Sequence, residues 1–403
     1  MESTLSRILM AITLMALVGC ATSPSPTPMP QEQQLPTTAT TTVVLMQPPG
    51  VQTVERSWTA DELLARSATE GAPVWADDDE LTFFYQGEAD EVRICCGIQS
   101  PMRRIEGTDL WVLTVRVRDL SQAVIGYAFM PYQDGHPVAS EDFMDRMQVW
   151  RGPEAPPALQ RAETLRGQIK EHVIDSESLG EPRGLTVYLP PGHDPTRRLP
   201  VVYAADGESV SWLATVLDPL IADGSVPAVI VVGVHSGGAN QTLTEPHDPS
   251  QDRRAQEYLL GFNRERFEAH ERFFIYEVAD WAEQNLGVAA NREQRAVFGY
   301  SNGGAFAVAM GARHPERYGH VIAFSLGRGP AGLGAPAWTA DMAPRHYLVA
   351  GTLEPFLEPT SKWAAKLDRL GVEHVYRQRV CGHDVTMWEE EFPGAVAWAF
   401  VDR

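Results

Sequence analysis

The chain has 403 residues, 44% of them hydrophobic, and a formal net charge of -20 at pH 7. That length accommodates two domains with cores of their own. The charge excludes nucleic acid and anionic membrane surfaces as electrostatic partners, because both are polyanions and no Lys/Arg cluster offsets the repulsion. Neutral and cationic substrates are unrestricted. No C-x-x-C occurs and the histidines are scattered, so the spacing points to no metal or other cofactor.

At the N-terminus, Arg7 precedes an apolar run from Ile8 to Val18. The run is too short to span a bilayer as a stable helix and has the size of a signal-peptide core. It ends in Leu17-Val18-Gly19-Cys20, which resembles the lipobox of bacterial lipoproteins. That resemblance implies a signal peptide over residues 1–19, lipidation of Cys20 and a place in the bacterial cell envelope. Ala21, rather than Asp, then fits outer-membrane sorting in a Gram-negative host. An ordinary secretory signal cleaved near Ala21 is the alternative. Residues 20–56 are mostly Thr, Pro, Gln and Ser, and they read as a tether extended by its prolines. Export permits a disulfide among Cys95, Cys96 and Cys381, and the odd count leaves a thiol over. Adjacent residues on a strand point to opposite faces, so at most one of Cys95 and Cys96 can face Cys381.

Residues 57–155 read as a small all-β sandwich. A short helix is expected over Trp58–Ser67, with Asp61 and Glu62 in its first turn. Strands are expected over Glu80–Gln86, Glu91–Cys96, Leu110–Val117 and Ala123–Tyr132. Gly, Pro and Asp fill the gaps, at the spacing of an antiparallel sandwich. Gly152-Pro153-Glu154-Ala155-Pro156-Pro157 is a linker.

Beyond it, residues 156–403 alternate strand and helix, which predicts a doubly wound, mostly parallel sheet covered on both faces. Gly167–Ser176 and Gly184–Leu189 form a first hairpin. Leu199–Ala205 and Ala228–Val234 are apolar runs of buried strands, with a helix over Ser209–Asp223 between them. Arg264–Leu286 is a long amphipathic helix. Further strands are expected over Val321–Ser325, Arg345–Ala350 and Val375–Arg379, and helices over Thr360–Leu370 and Glu390–Val401.

Between the long helix and Val321 stands Gly299-Tyr300-Ser301-Asn302-Gly303. An apolar run enters it and small residues leave it. This is the G-x-S-x-G elbow, a sharp strand-to-helix turn that exposes a serine hydroxyl above the sheet. A serine is a weak nucleophile without a base. Of the five histidines after Ser301, only His383 falls in a loop beyond a strand, at Cys381-Gly382-His383-Asp384. The acid that orients it should follow the strand ending at Ala350, where Glu354 is the first choice and Glu358 its rival. Asp384, adjacent to His383, is able to bond its own backbone instead. An oxyanion hole needs two amide donors. Asn302 supplies one, and Gly207 or Glu208, in the loop after Ala205, the other.

These segments together resemble the esterase D-like α/β-hydrolases, and within them the enterochelin (ferric enterobactin) esterase group. The resemblance rests on Tyr203-Ala204-Ala205-Asp206-Gly207-Glu208, Arg254-Ala255-Gln256-Glu257-Tyr258-Leu259, the elbow, Ala350-Gly351-Thr352-Leu353-Glu354-Pro355 and Gly382-His383-Asp384. It spans about residues 165–403. It implies an α/β-hydrolase domain that hydrolyses carboxylic esters through an acyl-enzyme on Ser301, with Glu354 and His383 as the other triad members. Siderophore lactones of the enterochelin type, and feruloyl or acetyl esters, are the substrates of such proteins. By texture, residues 57–155 resemble that group's N-terminal sandwich and E-set domains. Trp111, Tyr127 and Tyr132 would be the stacking residues if the sandwich bound sugar, and core aromatics otherwise. The alternative to an enzyme is an envelope lipoprotein that binds a ligand with the hydrolase fold.

Overall fold

Strand Leu110–Val117 reads L-W-V-L-T-V-R-V and is buried on both faces. A strand with water on one face would show alternation, so this one has layers on either side. A computed structural model describes residues 49–138, 146–238, 251–327, 338–339 and 341–401. Residues 1–19, Cys20 and most of the expected tether lie outside them.

The first domain contains β1 (Val51–Thr53), β2 (Val74–Asp77), β3 (Glu80–Gln86), β4 (Glu91–Cys96), β5 (Ser100–Pro101), β6 (Arg103–Arg104), β7 (Leu110–Val117), β8 (Val124–Gln133), β9 (His136–Pro137) and β10 (Gln148–Arg151). One sheet runs β1-β7-β3-β2 with β6 beside β7, and the other runs β10-β8-β4-β5 with β9 beside β8. All pairings are antiparallel. Phe83, Val92, Ile94, Leu113, Val115 and Ile125 fill the space between the sheets. Leu110 and Val112, on the other face of β7, pack with Leu63 of helix α1 (Ala60–Glu70). Thr59 and Glu62 close a reciprocal capping box at the start of α1.

The tether expected over residues 20–56 therefore ends too late. Val51, Gln52 and Thr53 pair with Val117, Arg116 and Val115, and Val51 is buried in the sandwich core. A strand of three residues, Val-Gln-Thr, carries no periodicity to distinguish it from its surroundings. For the cysteines, the leftover thiol is present as expected, but the expectation that Cys95 and Cys96 point to opposite faces is corrected. Cys95 and Cys96 are bonded to each other, and Cys381 is a buried free thiol. Strict alternation fails because Cys96 leaves strand geometry at φ 84°. Trp111 and Tyr127 are core residues, and Arg93 covers the ring of Tyr132.

The second domain holds β11 (Gln168–Ser176), β12 (Glu181–Leu189), β13 (Val201–Ala205), β14 (Ile230–Val234), β15 (Arg295–Tyr300), β16 (His320–Phe324), β17 (Arg345–Gly351) and β18 (His374–Arg379). Their order is β11-β12-β14-β13-β15-β16-β17-β18. The first two pairings are antiparallel and the rest parallel. Helices α2 (Val210–Ala222), α3 (Arg253–Tyr258), α4 (Arg264–Arg272), α5 (Ala279–Asn285), α6 (Asn302–Arg313), α7 (Leu357–Leu370) and α8 (Val385–Phe400) cover the faces. Between α4 and α5 a six-residue π turn, Phe273–Val278, keeps the long helix continuous. Apolar side chains of α4, α6 and α7 form one core layer, and those of α2 and α8 form the other. Helix α8 begins at Val385 rather than Glu390, because Asp384 accepts from the amides of Thr386 and Met387 and caps it.

Arg151 at the end of the sandwich pairs with Glu390 of α8, and Arg161 beyond the linker pairs with Glu389. Phe298 of β15 is fully buried, with its ring 5.3 Å from Phe324 and 4.7 Å from Phe392. Phe298→Ala should lower stability by about 3–5 kcal/mol. Urea unfolding would report this as an earlier midpoint with an unchanged slope.

Candidate active site

The site is built on strand ends. β13, β15, β17 and β18 run parallel, so the loops that follow them leave one edge of the sheet. Ser301 follows β15 with φ 56° and ψ -126°, a left-handed conformation that costs a non-glycine residue about 1–3 kcal/mol. Its surroundings enforce this. The Ser301 amide donates to the Phe324 carbonyl at 3.0 Å, and the Ser301 carbonyl accepts from Gly327 at 2.9 Å and Ala305 at 3.2 Å. Gly299 cannot carry a side chain, since a Cβ there would lie 2.1 Å from the Gly303 carbonyl oxygen.

The structure brings Ser301, Glu354 and His383 together. His383 Nδ1 lies 2.6 Å from Glu354 Oε2, and His383 Nε2 lies 3.1 Å from Ser301 Oγ. With Nδ1–H donating to the carboxylate, Nε2 is left as the acceptor of the serine proton. Glu354 has 0% exposure, and its second oxygen accepts from the Gly351 amide at 2.8 Å. Both carboxylate oxygens are therefore committed, which fixes the direction of the bond to the imidazole. The rings of Phe356 and Trp388 stand 4.5 and 4.9 Å from that of His383. Trp388 stacks on Tyr300 at 4.1 Å and donates its indole N–H to Ser325 Oγ at 2.9 Å.

The rivals are placed elsewhere. Glu358 is 74% exposed on the first turn of α7 and pairs with Lys362. His314 bonds Glu271, His320 the Glu293 carbonyl, His346 the Pro344 carbonyl and His374 the Val372 carbonyl. Asn302 opens α6, where helix amides lack an intrahelical acceptor. Gly207 and Glu208 open a short 3-10 turn beyond β13, on the same sheet edge. Among the described residues, no group of three or more His, Cys, Asp or Glu is placed to hold a metal ion.

Sequence reasoning missed two ion pairs behind this edge. Arg254 grips Asp206 through two bonds of 2.5 and 2.6 Å, and the Asp206 amide donates to Tyr258 Oη at 2.9 Å. Arg183 grips Glu257, which has 0% exposure, at 2.8 and 2.9 Å, and the Gly237 amide adds a third bond at 2.7 Å. The first fastens α3 to the turn holding Gly207, and the second fastens it to β12 and to the segment after β14. The recurring acids and arginines of the motif segments were the available signal, but their partners are distant in sequence.

The Esterase family model matches residues 176–399. A Bacillus subtilis (strain 168) protein, YjcH, is 23% identical over 159 residues, which is 39% of this chain and 60% of that one. The chain thus spans less than two thirds of that relative. The ferric enterobactin esterase of Salmonella typhimurium superposes with a TM-score of 0.63 at 18% identity, covering 83% of this chain and 98% of the other. The Shigella flexneri enterobactin esterase gives a TM-score of 0.58 at 19% identity, covering 81% and 94%. At these identities the likeness is one of fold.

Burial pushes the Asp384 carboxyl up to about 6 from 3.8, against the pull of the Met387, Gly126 and Thr386 amides. The folded chain thus holds this proton more tightly than the unfolded chain. The contribution of Asp384 to stability is largest below about pH 4 and is lost as the pH rises through about 6. Asp384→Asn removes that titration. Relative to wild type, its unfolding free energy should rise by about 2–3 kcal/mol between pH 4 and pH 7 in paired urea titrations.

Proposed function

This chain belongs to the Esterase family, and we propose that it is a carboxylic ester hydrolase that works through Ser301 as nucleophile, His383 as base and Glu354 as the acid that orients the base. The observation that carries this reading is one imidazole bonded to a buried carboxylate at 2.6 Å and to a serine hydroxyl at 3.1 Å. His383 Nε2 takes the Ser301 proton as Oγ attacks the ester carbonyl carbon. Negative charge gathers on the carbonyl oxygen. The amides of Asn302 and of Gly207 or Glu208 receive it, each worth about 10²–10³-fold in rate. Glu354 stabilises the imidazolium, which then protonates the departing alkoxide. Water, deprotonated by the same imidazole, attacks the acyl-Ser301 ester and releases the acid.

The substrate proposed is a neutral ester with an aromatic portion, of the enterochelin-type siderophore or feruloyl class, with acetyl esters as the smaller option. Phe356 and Trp388 beside His383 support an aromatic group. The net charge of -20 disfavours a strongly anionic ferric complex. The fold shared with the enterobactin esterases is consistent with that class. We further propose that the enzyme is held at the bacterial cell envelope by lipid on Cys20.

With p-nitrophenyl acetate or butyrate, Ser301→Ala should abolish turnover, and His383→Ala should lower kcat by about 10⁴-fold or more. Glu354→Gln should cost less than either, and Glu358→Gln should leave kcat unchanged. Near-wild-type turnover by His383→Ala would remove it from the site. For the anchor, Cys20→Ala should move the enzyme from the membrane to the soluble fraction of an expressing Gram-negative cell. Unchanged sedimentation with membranes would count against lipidation.

A further inference from the structure

Two of the three proposed catalytic side chains hang on loops that are seated in the other domain. The acid loop is Gly351-Thr352-Leu353-Glu354. The Leu353 side chain has 0% exposure and is buried in the sandwich core with Val51, Leu81 and Val117, not in the core of its own domain. The base loop is tied along its length. The Val124 amide of β8 donates to the Val380 carbonyl at 2.9 Å, and Val124 pairs with Cys381 as a parallel bridge. Gly382 lies flat on the turn after β4, where a Cβ would fall 1.7 Å from the Gly97 carbonyl oxygen. Asp384 accepts from the Gly126 amide of β8 at 3.4 Å. The two loops are also joined, since the Leu353 amide donates to the Cys381 carbonyl at 3.0 Å. The residues on either side of His383, and the one before Glu354, are thus fixed from the sandwich. Ser301 is fixed by hydrogen bonds within the parallel-sheet domain.

We propose that the sandwich is the positioning half of the active site, with Gly97 and the seat of Leu353 setting the Glu354–His383 pair over Ser301. This rests on the triad reading above. Gly97 and Leu353 are positioning residues, acting through the two loops. The Nε2 to Oγ approach is a single hydrogen bond, and a misplacement of about 1 Å costs about 10²-fold in rate. A methyl group at residue 97 would fall 2.7 Å from the Gly126 carbonyl oxygen and 3.1 Å from Asp384 Oδ2. It pushes first on β8, where Ile125 Cγ2 stands 3.0 Å away, and also on the base loop through Asp384, and none of its three nearest atoms belongs to the elbow. Leu353→Ala empties the seat of the acid loop from the sandwich side.

The test uses the full-length protein and two readouts. One is kcat and KM on p-nitrophenyl acetate. The other is the downfield proton resonance of the His383 Nδ1–H bonded to Glu354, assigned by its loss in His383→Ala. Gly97→Ala and Leu353→Ala should each lower kcat by about 10²-fold with KM changed only a few-fold, and should broaden or shift the resonance. Leu353→Met, which conserves volume, should restore both. Leu63→Ala, an equally buried cut on the outer face of the sandwich, should leave both as in wild type below its unfolding temperature. If Gly97→Ala and Leu353→Ala do not fold, the milder Leu353→Val decides by the same readouts. A folded seam variant with wild-type kcat and an unmoved resonance would overturn the proposal, as would a Leu63→Ala loss of the same size. The resonance reports the pair without turnover. Absence of Ser301-dependent hydrolysis would therefore defeat the functional reading while leaving the seat of the pair still measurable.

Discussion

A neutral imidazole accepts a proton at whichever nitrogen lacks one, and a bond to the other nitrogen fixes which that is and where it points. The bond of 2.6 Å between His383 Nδ1 and Glu354 does so here, and the rest of the structure is arranged so that it holds. Glu354 is sealed from water, and its spare oxygen is occupied by the Gly351 amide. In such surroundings a carboxylate gains more from its partners than it would in solvent, and has no cheaper alternative to them. Trp388, stacked on Tyr300 and set edge-on to His383, then limits how the ring can tilt.

The strained serine at the elbow and the ion pairs behind it belong to the same economy of fixed geometry. Ser301 holds a sparsely populated backbone conformation because three neighbouring backbone groups bond it there. Arg254–Asp206 and Arg183–Glu257 place charge in low-dielectric surroundings, where each partner is fully engaged. Buried pairs of this kind are weak evidence for stability but demanding about geometry. Here the first locks the turn bearing Gly207 and Glu208 to α3, and the second locks α3 to β12. Amide donors gain from such locking, because an oxyanion is stabilised most by dipoles that need not reorient.

Much of this was legible in the chain because the constraints are local. Gly299 and Gly303 flank Ser301 for steric reasons that any reader of the segment can apply. His383 stood out because the other downstream histidines fall in or beside regular elements, and Glu354 because it follows the right strand. The hairpin, the buried parallel strands and the long helix each carried their period or their apolar run. What escaped depends on distant partners or on broken rules. Leu353 looks like any loop leucine until the sandwich closes over it. The strand at Val51–Thr53 is too short to carry a pattern, and Gln148–Arg151 is an edge with little burial. Cys95 and Cys96 break alternation because the second has a positive φ. The start of α8 was hidden because its cap, Asp384, sits in the loop that also bears His383.

The seam between the two domains is also a statement about traffic. In many two-domain enzymes the bodies swing apart to admit a substrate and shut on it. Here such a swing would unseat Leu353 and peel Gly382 from Gly97, drawing Glu354 and His383 away from Ser301. The molecule cannot use this joint as a hinged door. Whatever reaches Ser301 does so with the joint shut, along the sheet edge from which the loops after β13, β15, β17 and β18 leave.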